Sequence, residues 1–252
     1  MRAEATQVAI VGAAAVPCGR IQQPHGSATE VLEHEVLAGC VLDAVAAAGV
    51  AKDEIDAMVF CHPRVYTQQL YFGTFMANYL RLPMNGVVME VVGNGMTGGL
   101  AFEQAAQLIS SGRARLALAL GVSFETAISS DEHMNRSIRA TGDVAFHAPF
   151  GFTPISWYAM DAVRYMHEFG STRAEIASVA VKNRRHASLN PLAQFRTEVT
   201  LDDVLEQRMI VEPLGLYEVP PRSDGAACIV LASEELARSL RKPYARVVGR
   251  GF

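Results

Sequence analysis

The stretch VVGNGMTGGLAFEQAA, residues 91–106, decides the reading of this chain. Two valines end an apolar run, GNGMTGG turns, and LAFEQAA begins a helix-forming segment. A strand, a glycine-rich turn and a helix N-terminus in that order present a nucleophile or cradle an anion. Backbone N–H groups at a helix start point outward unpaired and the macrodipole favours negative charge there. The turn holds no Ser, Cys, Lys or His, so the attacking atom expected of such a turn is absent.

Working outward, the same alternation extends in both directions. Gln7–Gly12 (QVAIVG) is a short apolar run that suits a buried parallel strand. Thr29–Ala48 predicts a long helix stopped by Gly49, with Leu32, Val36, Cys40, Ala44 and Ala48 recurring every fourth position. Asp56–Cys61 is a second strand, Tyr66–Leu80 a second helix, Val87–Val92 a third strand and Gly98–Ser111 a third helix. Leu116–Gly121 (LALALG) is apolar on both faces. Strands alternating with helices predict an α/β fold, its mostly parallel sheet covered on both sides.

After Gly121 the rhythm breaks. Phe124–Pro154 shows little periodicity. A helix is expected from about Ser156 to Gly170, and another opens on the capping box Thr172-Arg-Ala-Glu175 and runs to about His186. Leu201–Gln207 reads as a short helix and Ala226–Ala232 (AACIVLA) as a second buried strand. Tyr244–Gly249 (YARVVG) has the form of a strand that opens a new unit, with the second half of a duplicated fold expected to lie outside the chain; the alternative is an edge strand that closes the sheet.

Composition narrows the function. The chain has 252 residues, half of them hydrophobic, and a net charge of −4. It can build a core and carries no basic field for nucleic acid. No apolar run approaches the ~20 residues of a membrane helix, and MRAEATQVAIVG is not a signal peptide. Cys18, Cys40, Cys61 and Cys228 form no CxxC pair, so no metal site is expected. Cys40 and Cys228 read as reduced core thiols, which implies a cytoplasmic protein.

Several segments in this order resemble the thiolase superfamily, and within it the sterol-carrier-protein-type thiolases and lipid-transfer proteins. They are VAIVGAAAVPCGR, EIDAMVF, GGLAFEQAAQLISSGRARLALALGVS, APFGFTPISW, VAVKNRRHASLNPLAQFR, RMIVEPLGLYEVPPRSDGAACIVLAS and YARVVGRGF. The resemblance implies a thiolase-like βαβαβαββ half carrying an inserted loop domain. The expected boundaries are 1–124 for the first part of the half, 125–205 for the loop domain, 206–243 for the return to the half and 244–252 for the first strand of a second half.

The family's nucleophile lies in a Cys-Ala-Ser-Gly-like motif, which falls here on Gly95-Met96-Thr97-Gly98. Gly95 takes the Cys position, and a shift in alignment meets only Asn94 or Met96. Gly95 removes the thiolate and keeps the amides, so the turn can still receive a thioester oxygen or an enolate. The competing expectation is a noncatalytic subunit in which the glycine only lets strand and helix pack closely. Some thiolase-like lipid-transfer proteins of the family lack the Cys and act as retro-aldolases on β-hydroxyacyl-CoA in steroid catabolism, with a DUF35-type partner of zinc ribbon and OB-fold. The resemblance therefore implies such an enzyme, or else an acetyl-CoA acetyltransferase-type acyltransferase or an acyl-CoA-binding subunit. It also implies a homodimer, coenzyme A as part of the substrate and no bound cofactor.

Other candidates come from the inserted region. His147 is an acid or base or a structural histidine. Phe150 and Trp157 line an acyl tunnel or a core. Tyr158 and Tyr165 are aldol acids or packing residues. Lys182, Arg184, Arg185 and His186 form a cationic cluster for CoA phosphates or a solvated helix end.

Overall fold

The computed structural model describes residues 6–21, 31–61, 67, 69–83 and 86–251. Its elements begin with β1 (Val8–Ala15), α1 (Glu33–Ala48), β2 (Ala57–Cys61), α2 (Phe72–Tyr79), β3 (Val87–Val91), α3 (Thr97–Ser110) and β4 (Leu116–Phe124). They continue with α4 (Ser130–Thr141), α5 (Pro154–Phe169), α6 (Arg173–Ser188), α7 (Leu201–Leu205), β5 (Met209–Val211) and β6 (Leu214–Gly215). β7 (Asp224–Ser233), α8 (Glu234–Ser239) and β8 (Ala245–Arg246) complete them. The expected starts of the first two helices, at Thr29 and Tyr66, lie outside the described residues. The described residues fall into two compact units. One takes in the chain up to Val16, Ile21–Phe124 and everything from Asp224 on; the other is Pro17–Arg20 with Glu125–Ser223.

The first unit is a six-stranded sheet in the order β3-β2-β4-β7-β1-β8. β2 pairs in parallel with β3 and with β4. β7 wedges between β4 and β1, antiparallel to both, and β8 runs antiparallel to β1. β1, β2, β3 and β4 thus share one direction, as the alternation predicts. QVAIVG nonetheless makes no parallel pair, because both of its neighbours run against it. An apolar run records burial on two faces and is silent about the direction of the neighbours.

Pleating assigns the layers. Ala57 and Val59 of β2, Ala117 and Ala119 of β4 and Leu231 of β7 face α3, which meets them with Ala101, Ala105, Ala106, Leu108 and Ile109. The intervening Phe60 points the other way and stacks on Phe72 of α2, with centroids 5.1 Å apart. α1 covers the same side as α2: Gly12, paired with Val230, is so close to it that a Cβ there would lie 2.5 Å from the Ala44 carbonyl oxygen and 2.7 Å from the Ala48 nitrogen. Backbone cannot step aside as a side chain can. Gly12→Ala is therefore expected to destabilise the first unit by about 1–3 kcal/mol, read as a lower urea midpoint.

α1 ends as expected on Gly49, left-handed at φ 72°, whose N–H caps the Val45 and Ala46 carbonyls. α2 is shorter than the sequence suggests. Tyr71 takes φ 51° just before it, and the Gly73 N–H donates to Glu90 Oε1 of β3 at 2.7 Å. β8 is only two residues long.

In the second unit, α4 corrects the expectation of an irregular 124–154 segment. SDEHMNRSIRAT has no apolar stripe to reveal it. It is specified by its ends and charges: Ser129 Oγ accepts the Glu132 N–H, Asp131 and Glu132 fill the first turn, and Arg136 pairs with Glu132 at 2.6 Å. The Thr172–Glu175 box does cap α6, with both reciprocal bonds made. A small core of Ala177, Ala180 and Val204 joins α6 to α7.

Residues 206–223 cluster with this unit and not with the sheet. The tie is Glu218, whose side chain is 5% exposed. Oε1 takes Arg173 Nη1 at 2.7 Å and Oε2 takes Arg173 Nη2. Oε2 also accepts Gln207 Nε2 and the Gly215 N–H, both at 2.9 Å.

Candidate active site

The turn at the C-terminal end of β3 is built by a hydroxyl. Thr97 Oγ1 accepts the Gly93 N–H at 3.0 Å and donates to the Asn94 carbonyl at 2.6 Å. Met96 N–H returns to the Gly93 carbonyl at 3.1 Å, closing a single 3-10 turn over Asn94–Met96 with Asn94 left-handed at φ 51°. α3 then starts directly at Thr97. Asn94, Gly95 and Met96 are exposed, and among the described residues no acceptor meets the N–H of Asn94 or Gly95.

Gly95 stands in open space: a Cβ there meets nothing within 4 Å. Close packing of strand on helix therefore does not explain this glycine, which removes the reason given for a passive role. Gly93 differs: a Cβ there would meet the end of the Leu100 side chain, which would have to move. The result is two exposed amides, unpaired among the described residues, just ahead of a 14-residue helix, where backbone N–H groups favour negative charge. Thr97, in the Ser place of the matched motif, is the residue sequence reasoning passed over.

The cysteines do not restore a nucleophile. Cys61 ends β2 beside Val91 and Gly121, nearer to the turn than separate strands suggest. Burial pushes its thiol pKa up, however, so the thiolate is scarce. Cys40 is raised to about 11 by burial and by Asp43, and Cys228 is raised further by burial. Cys18 is exposed. Iodoacetamide at pH 8 is accordingly expected to label Cys18 and spare Cys40 and Cys228 until the chain unfolds, as peptide mass mapping will read.

The remaining candidates lie in the second unit. His147, Phe152 and Trp157 come together, the imidazole standing edge-on to the indole at 5.1 Å and 5.5 Å separating the indole from Phe152. Trp157 Nε1 is buried with no partner among the described residues. Phe150 is exposed and joins the group through Phe146, at 6.2 Å. Tyr158 and Tyr165 are exposed on α5, and Tyr165 packs on Phe169.

The cationic cluster is divided. Lys182 and Arg185 are exposed, whereas Arg184 turns inward and lies 4.6 Å from the Phe195 centroid and 5.4 Å from that of Tyr217. It borders a groove of about 480 Å³ lined also by Ile176, Val179, Phe195 and Tyr217. Glu218 reaches the same groove with its charge already met by Arg173. A further cluster, unannounced by spacing, joins His133, Glu125 and Arg222. His133 Nε2 is 3.4 Å from Glu125, and burial, then the Arg222 guanidinium, hold its pKa below the usual imidazole value. Among the described residues no three His, Cys, Asp or Glu side chains are grouped to hold a metal.

A sheet with α3 on one face and α1 and α2 on the other, with a bare amide turn at the head of α3, defines the N-terminal half of a thiolase-type fold. The chain belongs to that family: the model of the thiolase N-terminal domain matches residues 8–235. It is 31% identical to an acetyl-CoA acetyltransferase of Methanothermobacter thermautotrophicus over 223 residues, 87% of this chain and 57% of that one. It is 46% identical to a steroid side-chain-cleaving aldolase of Thermomonospora curvata over 107 residues, 42% of this chain and 27% of that one. Among solved structures it resembles an Ltp2–ChsH2(DUF35) aldolase with a TM-score of 0.77 and 31% identity, covering 98% of this chain and 61% of that one. The chain thus spans little more than half of the acetyltransferase and about a quarter of the steroid aldolase. No described helix is long and apolar enough to cross a membrane.

Proposed function

We propose that this chain handles the thioester in a thiolase-superfamily enzyme that cleaves a carbon–carbon bond of a β-hydroxyacyl-CoA by a retro-aldol reaction. The observation that carries the reading is Gly95: the nucleophile's place is empty, open and flanked by unpaired amides. In a retro-aldol step a base takes the hydroxyl proton and the bond between the α and β carbons breaks. The electron pair passes into the thioester as an enolate, which is then protonated at carbon. Negative charge grows on the thioester oxygen, where the amides of Asn94 and Gly95 are suited to meet it, and no acyl-enzyme forms. Claisen-type acyl transfer needs the thiolate that Gly95 replaces. The likeness to an acetyl-CoA acetyltransferase over most of the chain favours acyl transfer as the second reading.

Coenzyme A enters as part of the substrate, and the chemistry calls on no bound cofactor. In this reading Arg184, beside the apolar groove, meets an anionic part of the thioester, with Lys182 and Arg185 attracting it from the surface. The aromatic residues near Phe150 and Trp157 suit a large apolar acyl group, in keeping with the steroid-cleaving relative. The similar aldolase structure, a complex with a DUF35 protein, supports a partner of that type. β3, at the edge of the sheet with Val88 40% and the following Val92 65% exposed, supports a homodimer. Free thiols at all four cysteines suit the cytoplasm.

The test is turnover by the protein together with a DUF35 partner. The expected result is cleavage of a β-hydroxyacyl-CoA to a carbonyl compound and a shortened acyl-CoA, unaffected by iodoacetamide. Thiolysis of a β-ketoacyl-CoA that iodoacetamide abolishes, with the hydroxy ester untouched, overturns the reading.

A further inference from the structure

The turn that follows α4 winds around one residue. Asp143 Oδ1 accepts the N–H groups of Ala145 and Phe146, both at 2.8 Å. The Asp143 carbonyl accepts those of His147 at 2.8 Å and Ala148 at 3.3 Å. The last donor, the Asp143 N–H itself, is taken by His147 Nδ1 at 2.9 Å. A ring nitrogen that accepts carries no hydrogen, so the neutral imidazole has its proton on Nε2. Gly142 makes room for the ring: a Cβ there would sit 2.8 Å from Nδ1 and 3.2 Å from Cγ. The imidazole is held further by Trp157 at 5.1 Å, Phe146 at 5.2 Å and Phe152 at 6.2 Å. The turn it closes presents Phe146, 67% exposed, and Phe150, 73% exposed.

We infer that His147 is a positioning residue that pins this turn through Nδ1 and so sets the aromatic pair Phe146 and Phe150 as a surface for the apolar acyl part of the substrate. The assignment rests on the proposed thioester reading for its ligand, while the pin rests on geometry alone. It replaces the acid–base role at Nδ1, since a nitrogen already engaged by a backbone amide is not free to carry protons to a substrate. The pin joins two positions five apart: Gly142 supplies the space and His147 the acceptor.

The experiment has two independent arms. In the full chain labelled with ¹⁵N-histidine, long-range proton–nitrogen spectra read the tautomer, and the His147 signal is identified by its loss in His147→Asn. Trp157 is the only tryptophan of the chain, so its emission reports the neighbouring ring directly. The expected tautomer is Nε2–H. His147→Leu keeps bulk without an acceptor and Gly142→Ala pushes the ring away, and both are expected to shift Trp157 emission. In turnover both should raise KM for a long-chain or ring-bearing acyl-CoA roughly tenfold with kcat little changed. His147→Asn, which keeps an acceptor near the Nδ1 position, should bring KM back to within about threefold of the native value. An Nδ1–H tautomer, or a leucine variant with native emission and KM, overturns the pin. A fall in kcat that asparagine fails to rescue returns His147 to the chemistry and overturns positioning. Should the native protein turn over no thioester, the functional reading fails, and tautomer and emission still decide the pin.

Discussion

Glu218→Ala will cost the second unit roughly 3–5 kcal/mol, the range for removing one partner of a buried ion pair. The substitution orphans three donors at once: the Arg173 guanidinium, the Gln207 amide and the Gly215 N–H. Arg173 fares worst, because its Nε is already buried with no partner among the described residues and its side chain is only 21% exposed. Glu218→Gln should recover part of the loss, since an amide oxygen still accepts from Gly215 or Gln207, but it cannot neutralise the arginine. Arg173→Met with Glu218→Leu should come closer to native stability than either single change, because an apolar pair leaves no charge stranded. Urea titration followed by hydrogen exchange on α6 and α7 reads each variant against the native protein. A single-alanine loss under about 1 kcal/mol would show that water reaches the pair.

The second large effect is in turnover and not in stability. Gly95→Leu adds a side chain at an exposed position where a Cβ meets nothing within 4 Å, so the unfolding free energy should change by no more than about 0.5 kcal/mol. The same side chain is expected to crowd an oxygen bound at the Asn94 and Gly95 amides, and turnover of a β-hydroxyacyl-CoA should then fall by at least about a hundredfold, the loss typical of removing one oxyanion contact. Gly95→Ala should lie between them, with native stability and partial activity. A leucine variant with native rates moves the reacting oxygen away from this turn. Gly93→Leu is the control: it must displace the Leu100 side chain and should lose more stability than Gly95→Leu.

What the sequence disclosed follows from which forces leave a local pattern. β2 and β4 are buried on both faces, as is β7 from Val230 on, and AMVFC, LALALG and the end of AACIVLA are unbroken apolar runs as a consequence; Ala227, exposed in the same run, shows that an apolar run overstates burial at the start of β7. α1 announces itself by a four-residue recurrence and a terminal glycine. Direction is another matter: β1 and β7 are more than two hundred positions apart, and nothing in VAIVG states that its neighbours run against it. α4 was hidden because caps and ion pairs support it where an apolar stripe would have shown. At the site, strand–turn–helix order located Gly95, but the open space around it comes from the arrangement of other elements. The basic cluster at the end of α6 was visible as charge. That Arg184 alone turns in depends on Phe195 and Tyr217, the latter 33 positions away, with no spacing rule linking them.

The wedge position of β7 bears on synthesis. Ninety-nine residues, Glu125–Ser223, leave the ribosome between β4 and the strand that must slot beside it. Until Ser233 has emerged, β1 and β4 have no common neighbour, and two apolar strands expose bare edges. Helices α1 and α3 can form early, yet the sheet they cover closes only when a late strand threads between two early ones. Such long-range closure is slow and invites wrong pairing, so the yield of native protein should depend more on temperature and chaperone supply during translation than on the stability of the finished fold.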